Sequence, residues 1–220
     1  MQLIGVLGGT FDPIHNGHLH LANEVLEKLK LDEVKLIPSN IPPHRPEPSA
    51  SSECRKKMVE LAIYGKQNLS VDSREIRNKD ISYTIDTLES LHKEFPKDAL
   101  FLIIGEDVFK NINTWKSWES LLNYCHILVA TRPDNKTDVL CEEIKKWKDD
   151  NRADDFNILR AVPSGYIYFI DIPIIEISSS MIRECYKINK PTNNYLASDI
   201  IDYIKINNLY KSFLKMMKFL

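Results

Sequence analysis

Two histidines three residues apart, His15 and His18, end the run Leu7-Gly8-Gly9-Thr10-Phe11-Asp12-Pro13-Ile14-His15-Asn16-Gly17-His18 near the start of the chain. If both are helical, that spacing puts two imidazoles on one face, with Cβ atoms about 5–6 Å apart. Gly8 and Gly9 allow a tight turn and let the backbone approach a ligand with no Cβ in the way. A helix starting near Asn16 or Gly17 would turn its unpaired N–H groups and positive dipole end toward the same loop. Ring donors, main-chain donors and a glycine turn together suit a phosphate. Two other phosphate loops are excluded. Phe11 and the lack of a third glycine rule out G-x-G-x-x-G, and no G-x-x-x-x-G-K-[ST] occurs.

Further residues with chemical potential stand well downstream. His44 and Arg45 sit in the loop 39–49, whose four prolines exclude helix and central strand. Gly105-Glu106-Asp107 is a glycine turn with a carboxylate, and Trp115 and Arg132 follow it. Trp118 reads as core. Ile177-Ser178-Ser179-Ser180-Met181-Ile182-Arg183 opens a helix with a run of hydroxyls. Capping accounts for one serine and at most two. It does not account for three together with an arginine that can reach over the same helix end.

The elements that must position these residues follow from periodicity. Leu3–Leu7 is a short apolar strand, and Leu19, Ala22, Leu26 and Leu29 lie on one helical face behind it. Val34–Pro38, Leu69–Asp72, Leu100–Ile104, Ile127–Ala130 and Tyr166–Ile170 read as further strands. Between them come a helix over Ser52–Tyr64, capped by Ser51 or Ser52, and one opened by Ser82 or Thr84 that runs to about Phe95. Lys136–Asp150 reads as a charged, solvated helix, and Tyr195–Leu220 as a final helix packed through Ile200, Ile201, Ile204 and Leu209. Strands alternating with helices predict an α/β fold: a doubly wound parallel sheet with helices on both faces. In such a sheet the strands' carboxyl ends share a rim, where residues distant in sequence meet.

Composition sets outer bounds. A chain of 220 residues with no internal repeat or low-complexity linker is read as one domain, 1–220, with a C-terminal helical segment from about 178 packed on it. A net charge of −2 gives no electrostatic case for nucleic acid or membrane binding. Cys54, Cys125, Cys141 and Cys185 lack metal-ligand spacing and read as reduced thiols, which suits the cytoplasm. Neither a signal peptide nor a membrane span is apparent, the most apolar stretch being broken by Asp171 and Pro173.

The His-x-Gly-His pattern after a glycine pair resembles the T/H-x-G-H signature of the nucleotidyltransferase superfamily. With the proline loop Ile41-Pro42-Pro43-His44-Arg45, Ser82-Tyr83-Thr84, Ile104-Gly105-Glu106-Asp107, Thr114-Trp115, Arg132-Pro133 and the serine run ending in Arg183, the chain is similar nearly end to end to the bacterial nicotinate-mononucleotide adenylyltransferases. The resemblance implies a Rossmann-like nucleotidyltransferase fold. It implies transfer of the adenylyl group of ATP to nicotinate mononucleotide, by direct in-line attack of the acceptor phosphate. Gly8, Gly9, Thr10, Phe11, His15, His18, Ser179, Ser180 and Arg183 would hold ATP, with His15, His18 and Arg183 catalytic. His44, Arg45, Thr84, Asp107, Trp115 and Arg132 would hold the acceptor. Mg²⁺ would ride on the ATP phosphates, with no metal site of the protein's own, and a homo-oligomer is open. Siblings that use phosphopantetheine or glycerol phosphate share the first and last motifs, and a nucleotide-sensing module without turnover is the alternative of another class. Ser180 stands where the family often has Thr, and Lys116 where many relatives carry an aromatic.

Overall fold

The computed structural model describes residues 1–41, 47–78, 81–132, 140–173 and 175–211. Strand β1 (Leu3–Gly9) is followed by α1 (Asn16–Lys28), β2 (Glu33–Pro38), α2 (Ser52–Ile63), β3 (Leu69–Val71), α3 (Arg74–Arg77), α4 (Thr84–Glu94), β4 (Ala99–Gly105) and α5 (Glu106–Phe109). Two 3₁₀ turns, Ile112–Thr114 and Trp118–Asn123, lead into β5 (His126–Thr131). The chain continues through α6 (Glu142–Asn151), α7 (Phe156–Leu159), β6 (Ile167–Asp171), α8 (Ser179–Lys187) and α9 (Ser198–Ile206).

The six strands pair in the order β3-β2-β1-β4-β5-β6, every pair parallel. The strand order reverses between β1 and β4, so connections leave these neighbours toward opposite faces and open a crevice beyond their carboxyl ends. The doubly wound parallel sheet is the architecture expected from the alternation of elements.

Alternation along the strands splits the apolar residues between the two faces. Leu3 and Leu7 of β1 join Phe101 and Ile103 of β4 in one core, with residues of α1, α2, α8 and α9. Ile4 and Val6 join Leu100, Leu102 and Ile104 in the other, beneath α4, α6 and Trp118. Both faces of β4 are therefore covered, as a near-continuous apolar run requires in a parallel sheet. Burying each such side chain is worth about 1.5–3 kcal/mol, and this fixes the crevice rim as a rigid edge.

Several boundaries differ from the sequence reading. The cap of α4 is Tyr83 rather than Ser82 or Thr84, because the Ser82 Oγ is engaged elsewhere, accepting the Asn40 N–H at 3.1 Å. Helix α6 is not simply solvated: Ile144 is buried and Trp147 packs with it under the sheet. Its expected first residues, 136–139, lie outside the described residues. The last helix begins at Ser198, since the amides of Tyr195 and Leu196 close a turn on the Thr192 carbonyl; residues 212–220 lie outside the described part. The short helices α3 and α7 have too few residues for a helical period to show in the sequence.

Candidate active site

A cleft of about 1030 Å³ opens past the ends of β1 and β4. Gly8 and Gly9, the last residues of β1, stay in extended pairing with Ile37 and Pro38, so the glycine turn expected from the sequence is not there. The chain turns at Phe11, whose φ of 50° is left-handed. A non-glycine residue held there costs of order 1–3 kcal/mol and persists only where its surroundings over-determine it. The surroundings do so, because the Phe11 ring is 1% exposed and lies edge-on to His18 at 5.0 Å. Gly9 makes room for that ring: a Cβ at position 9 would stand 2.9 Å from Phe11 Cε1. At Gly8 a Cβ would meet nothing within 4 Å, which leaves the strand end open to the cleft.

Helix α1 starts at Asn16, as the spacing predicted, but His15 is its N-cap rather than a helical residue. The two imidazoles therefore stack, centroids 3.7 Å apart and planes 27° apart, rather than standing side by side on a helical face. His18 Nδ1 accepts the His15 main-chain N–H at 3.3 Å. That bond assigns the neutral tautomer: the ring's own proton is on Nε2, which makes it a hydrogen-bond donor. His15 is 5% exposed, and burial pulls its pKa down to about 4. It is therefore a neutral ring at physiological pH and brings no cationic charge to the cleft.

The serine run divides its labour. Ser178 caps α8 by accepting the Met181 N–H at 3.1 Å. Ser179 Oγ donates to the Pro13 carbonyl at 2.9 Å and ties α8 to the loop after β1. Ser180 Oγ accepts from Arg183 Nη2 at 3.3 Å, while Arg183 Nη1 donates to the Asp12 carbonyl at 2.7 Å. The Arg183 guanidinium thus lies across the end of its own helix and against the loop that leads into α1 and His18, and Ser178, Ser179, Ser180 and Arg183 all line the cleft.

The opposite wall comes from α4 and the segment after α5. Ser82, Tyr83 and Thr84 line the cleft at the start of α4, where the Tyr83 carbonyl takes the Asp86 and Thr87 N–H groups and the N–H groups of Thr84 and Ile85 precede the first intrahelical bond. Asp107 and the half-buried Trp115 line the same wall. Gly105 leaves room for the Asp107 carboxylate in this position, since a Cβ would fall 2.6 Å from Asp107 Oδ1. Lys116 bonds both carboxylate oxygens of Asp86 at 3.0 Å and lies 4.6 Å from the Tyr83 ring centroid, which places an ammonium on the first turn of α4. Trp118 is 8% exposed and packs against Trp147, as its reading as core required.

Arg132 is not brought to this cleft: its side chain is half exposed and lies 3.4 Å from Glu176. His44 and Arg45 lie outside the described residues. Among the described residues no three His, Cys, Asp or Glu side chains stand together as a metal-binding group. No helix among them is long and apolar enough to cross a membrane.

Two residues with a part in the site were not singled out from the sequence. Arg55 is 1% exposed and donates to the carbonyls of Thr10, Ser39, Asn40 and Ala50 at 2.6–3.2 Å, so one guanidinium binds the loops after β1 and β2 to the start of α2. The signal was available, because Arg55 lies three and four residues before the buried Met58 and Val59 and so on their face. Glu75 lines the cleft and accepts from Thr87 Oγ1 at 2.6 Å; burial pushes its carboxyl up, against the pull of hydrogen bonds from Thr87 and Ser82. No spacing in the sequence marks it.

Comparison with known proteins identifies the family and agrees with the fold. Residues 6–185 match the family model described as cytidylyltransferase-like. A protein of Yersinia enterocolitica named "Probable nicotinate-nucleotide adenylyltransferase" is 40% identical over 95% of this chain and 96% of its own length. A protein of the same name from Pseudomonas syringae is 40% identical over 95% and 94%. Among solved structures, the Plasmodium falciparum nicotinic acid mononucleotide adenylyltransferase complexed with NaAD superposes with a TM-score of 0.72 at 20% identity, over 96% of this chain and 98% of that one, a likeness of fold. By its match over residues 6–185 and its identity to relatives of nearly equal length, the chain belongs to the cytidylyltransferase-like family and, within it, to the nicotinate-nucleotide adenylyltransferases.

Proposed function

We propose that this chain joins ATP to nicotinate mononucleotide, releasing pyrophosphate and giving nicotinate adenine dinucleotide, a step of NAD biosynthesis. The observation that carries this reading is the division of one cleft. His18, the N-terminus of α1 and Arg183 gather phosphate donors at one side, and Trp115 with the N-terminus of α4 offers a ring platform and an anion site at the other. The names of the relatives point the same way.

In this mechanism the acceptor's 5′-phosphate attacks the α-phosphorus of ATP opposite the leaving pyrophosphate, and no side chain forms a covalent intermediate. The protein's part is positioning and charge stabilisation. His18 donates through Nε2, the dipole of α1 supplies a partial positive charge although its Asn16 and His18 amides already donate to the Tyr195 and His15 carbonyls, and Arg183 offers a fork for two phosphate oxygens. His15 serves by stacking on His18 and giving its main-chain N–H, so its role is to orient rather than to carry charge. Gly8, Gly9, Thr10 and Phe11 shape the floor beneath the nucleotide, and Ser179 and Ser180 hold α8 and Arg183 against it. Asp107 takes a ribose hydroxyl, Trp115 stacks on the pyridine, Thr84 meets its carboxylate, and His44 and Arg45 take the acceptor phosphate. Mg²⁺ enters as part of the MgATP substrate, where it neutralises phosphate charge.

One domain over 1–220 belongs to the same reading, supported by the core that Ile182, Ile200, Ile201 and Ile204 share with β1. A cytoplasmic setting is supported by four free cysteines. The test is pyrophosphate release from MgATP with nicotinate mononucleotide, nicotinamide mononucleotide, phosphopantetheine and glycerol phosphate offered in turn. Release with nicotinate mononucleotide, with the dinucleotide identified by mass, is the expected result. Release only with one of the last two identifies a sibling enzyme, and release with none identifies a non-catalytic nucleotide-binding protein.

A further inference from the structure

The Asp12 carboxylate is 4% exposed, yet four donors surround it. Oδ1 accepts the Tyr210 hydroxyl at 2.7 Å and the Ala50 N–H at 3.1 Å. Oδ2 accepts the Ser49 N–H at 2.7 Å and stands 3.8 Å from Arg183 Nη1, which itself donates to the Asp12 carbonyl at 2.7 Å. Tyr210 comes from the far end of the described chain, 198 residues from Asp12. Its ring sits 6.0 Å from that of Tyr186 on α8, the helix that carries Arg183. One hydroxyl therefore joins the loop after β1 to the segment after α9, at the back of the phosphate side of the cleft.

The 3.8 Å separation between Asp12 and Arg183 bears on the chemistry. A charge-assisted bond of this kind closes to about 2.7–2.9 Å, so at 3.8 Å the carboxylate attracts the guanidinium without occupying its N–H groups. A buried carboxylate needs its lone pairs satisfied. With the Tyr210 hydroxyl removed, Oδ1 keeps only the Ala50 N–H. The nearby Arg55 guanidinium spends its N–H groups on four carbonyls. That leaves Arg183, 3.8 Å from Oδ2, as the cation able to close on the carboxylate. A closed Asp12–Arg183 pair would withdraw those N–H groups from a phosphate.

We propose that Tyr210 is a positioning residue for Arg183, acting through Asp12: its hydroxyl holds the Asp12 carboxylate where it steadies the guanidinium without capturing it. The proposal rests on the reading of Arg183 as a ligand of the ATP phosphates. Burial, with the Asp12 charge beside it, pushes the phenol well above its ordinary range, so Tyr210 stays a donor at every pH the enzyme meets. The effect falls on ATP, because Arg183 is on the ATP side, and leaves the ring platform at Trp115 untouched.

The experiment is a double-mutant cycle on ATP binding. Tyr210→Phe raises the KM for ATP about tenfold, the loss of one hydrogen bond to a buried charge. The acceptor KM stays within about threefold, and kcat, which Arg183 also serves, falls by no more than about tenfold. In an Asp12→Asn background, where no charge needs holding, adding Tyr210→Phe changes the ATP KM by less than about twofold. An ATP KM unmoved by Tyr210→Phe, or an equal rise in both backgrounds, overturns the proposal. A uniform loss of kcat and both KM values alongside a lower melting temperature overturns it too, since a merely structural tyrosine behaves that way. If Tyr210→Phe does not fold, Asp12→Asn against the double variant carries the test, and a further rise of ATP KM in the double variant overturns it. Arg183→Ala separates the two layers. If it leaves ATP affinity intact, the reading of Arg183 fails and takes the proposal with it. If it weakens ATP while Tyr210→Phe does not, only the role of Tyr210 fails.

Discussion

His18 Nδ1 accepts the main-chain N–H of His15 at 3.3 Å, and the two rings stack at 3.7 Å. The bond does two things at once. It satisfies an amide at the start of α1, and it commits the His18 proton to Nε2. Replacing His18 by Asn keeps a short acceptor for the His15 N–H but removes the Nε2 donor. We expect both His18→Asn and His18→Ala to fold and to lose about 10²–10³-fold in kcat, the usual cost of one transition-state donor. Steady-state kinetics beside a melting curve checks it, and turnover of His18→Asn within about threefold of wild type, under one kcal/mol, would clear His18 of the role.

The two indoles of the Thr114–Trp118 stretch should separate cleanly. Trp115→Ala removes the cleft's ring platform and raises the acceptor KM about tenfold, with ATP KM and melting temperature little changed. Trp118→Ala opens a cavity against Trp147 and costs about 3–5 kcal/mol of stability instead. Measuring both KM values and both melting temperatures distinguishes the pair.

Arg55→Met strands four carbonyls that no other donor reaches as well. At about 1 kcal/mol or more each, less what the loops recover by relaxing toward water, the loss is on the order of 3 kcal/mol. For a chain of this length that is a fall of about 6–12 °C in melting temperature. Differential scanning calorimetry reads it directly, and a shift under about 2 °C would mean that the loops after β1 and β2 hold themselves.

Acid should weaken the fold through buried histidines. Burial holds His15 at a pKa of about 4, and His126, beneath Phe101 and Tyr166, is also held below its ordinary value of 6.5. Both are neutral in the folded and unfolded chain above 6.5, so their contribution is complete there. Below 6.5 the unfolded chain takes up protons that the folded chain refuses, and stability falls until the folded rings titrate, near pH 4 for His15. For His15 alone this is on the order of 3 kcal/mol. Urea titrations between pH 7.5 and 4.5 should show a steep loss in wild type and a shallower one in His126→Gln. Parallel curves for the two would remove His126 from the account.

The parts of this molecule that were legible beforehand are those whose periodicity is local. Leu3–Leu7 and Leu100–Ile104 announced buried parallel strands because every residue in them is apolar, and the start of α1 was marked by Asn16-Gly17 before an apolar stripe. Contacts that join distant segments were not legible. Nothing near Ser82 reveals that its hydroxyl serves Asn40, so the cap of α4 was misplaced. The turn at Phe11 was assigned to Gly8 and Gly9 because glycine permits left-handed backbone, whereas the packing of the phenyl ring imposes it. Arg132 follows a strand like the cleft-lining residues, but its guanidinium lies against Glu176 and does not itself line the cleft. The links from Asp12 to Tyr210 and from Arg55 to four carbonyls are properties of the assembled rim.

The acceptor site proposed for a carboxylate-bearing ring rests on Trp115 and the first turn of α4, because the Lys116 ammonium beside that turn is already paired with Asp86. An anion at a helix N-terminus gains about 0.3–1 kcal/mol when exposed and up to about 2 when partly buried, and charge-assisted bonds from main-chain N–H groups add to that. The amide gains no charge term and brings an NH₂ that meets other donors. The decisive measurement is kcat/KM for nicotinate and nicotinamide mononucleotides at saturating MgATP, followed by pyrophosphate release. A preference for the acid of at least about tenfold, some 1.4 kcal/mol, is predicted; equal values or a preference for the amide would contradict it.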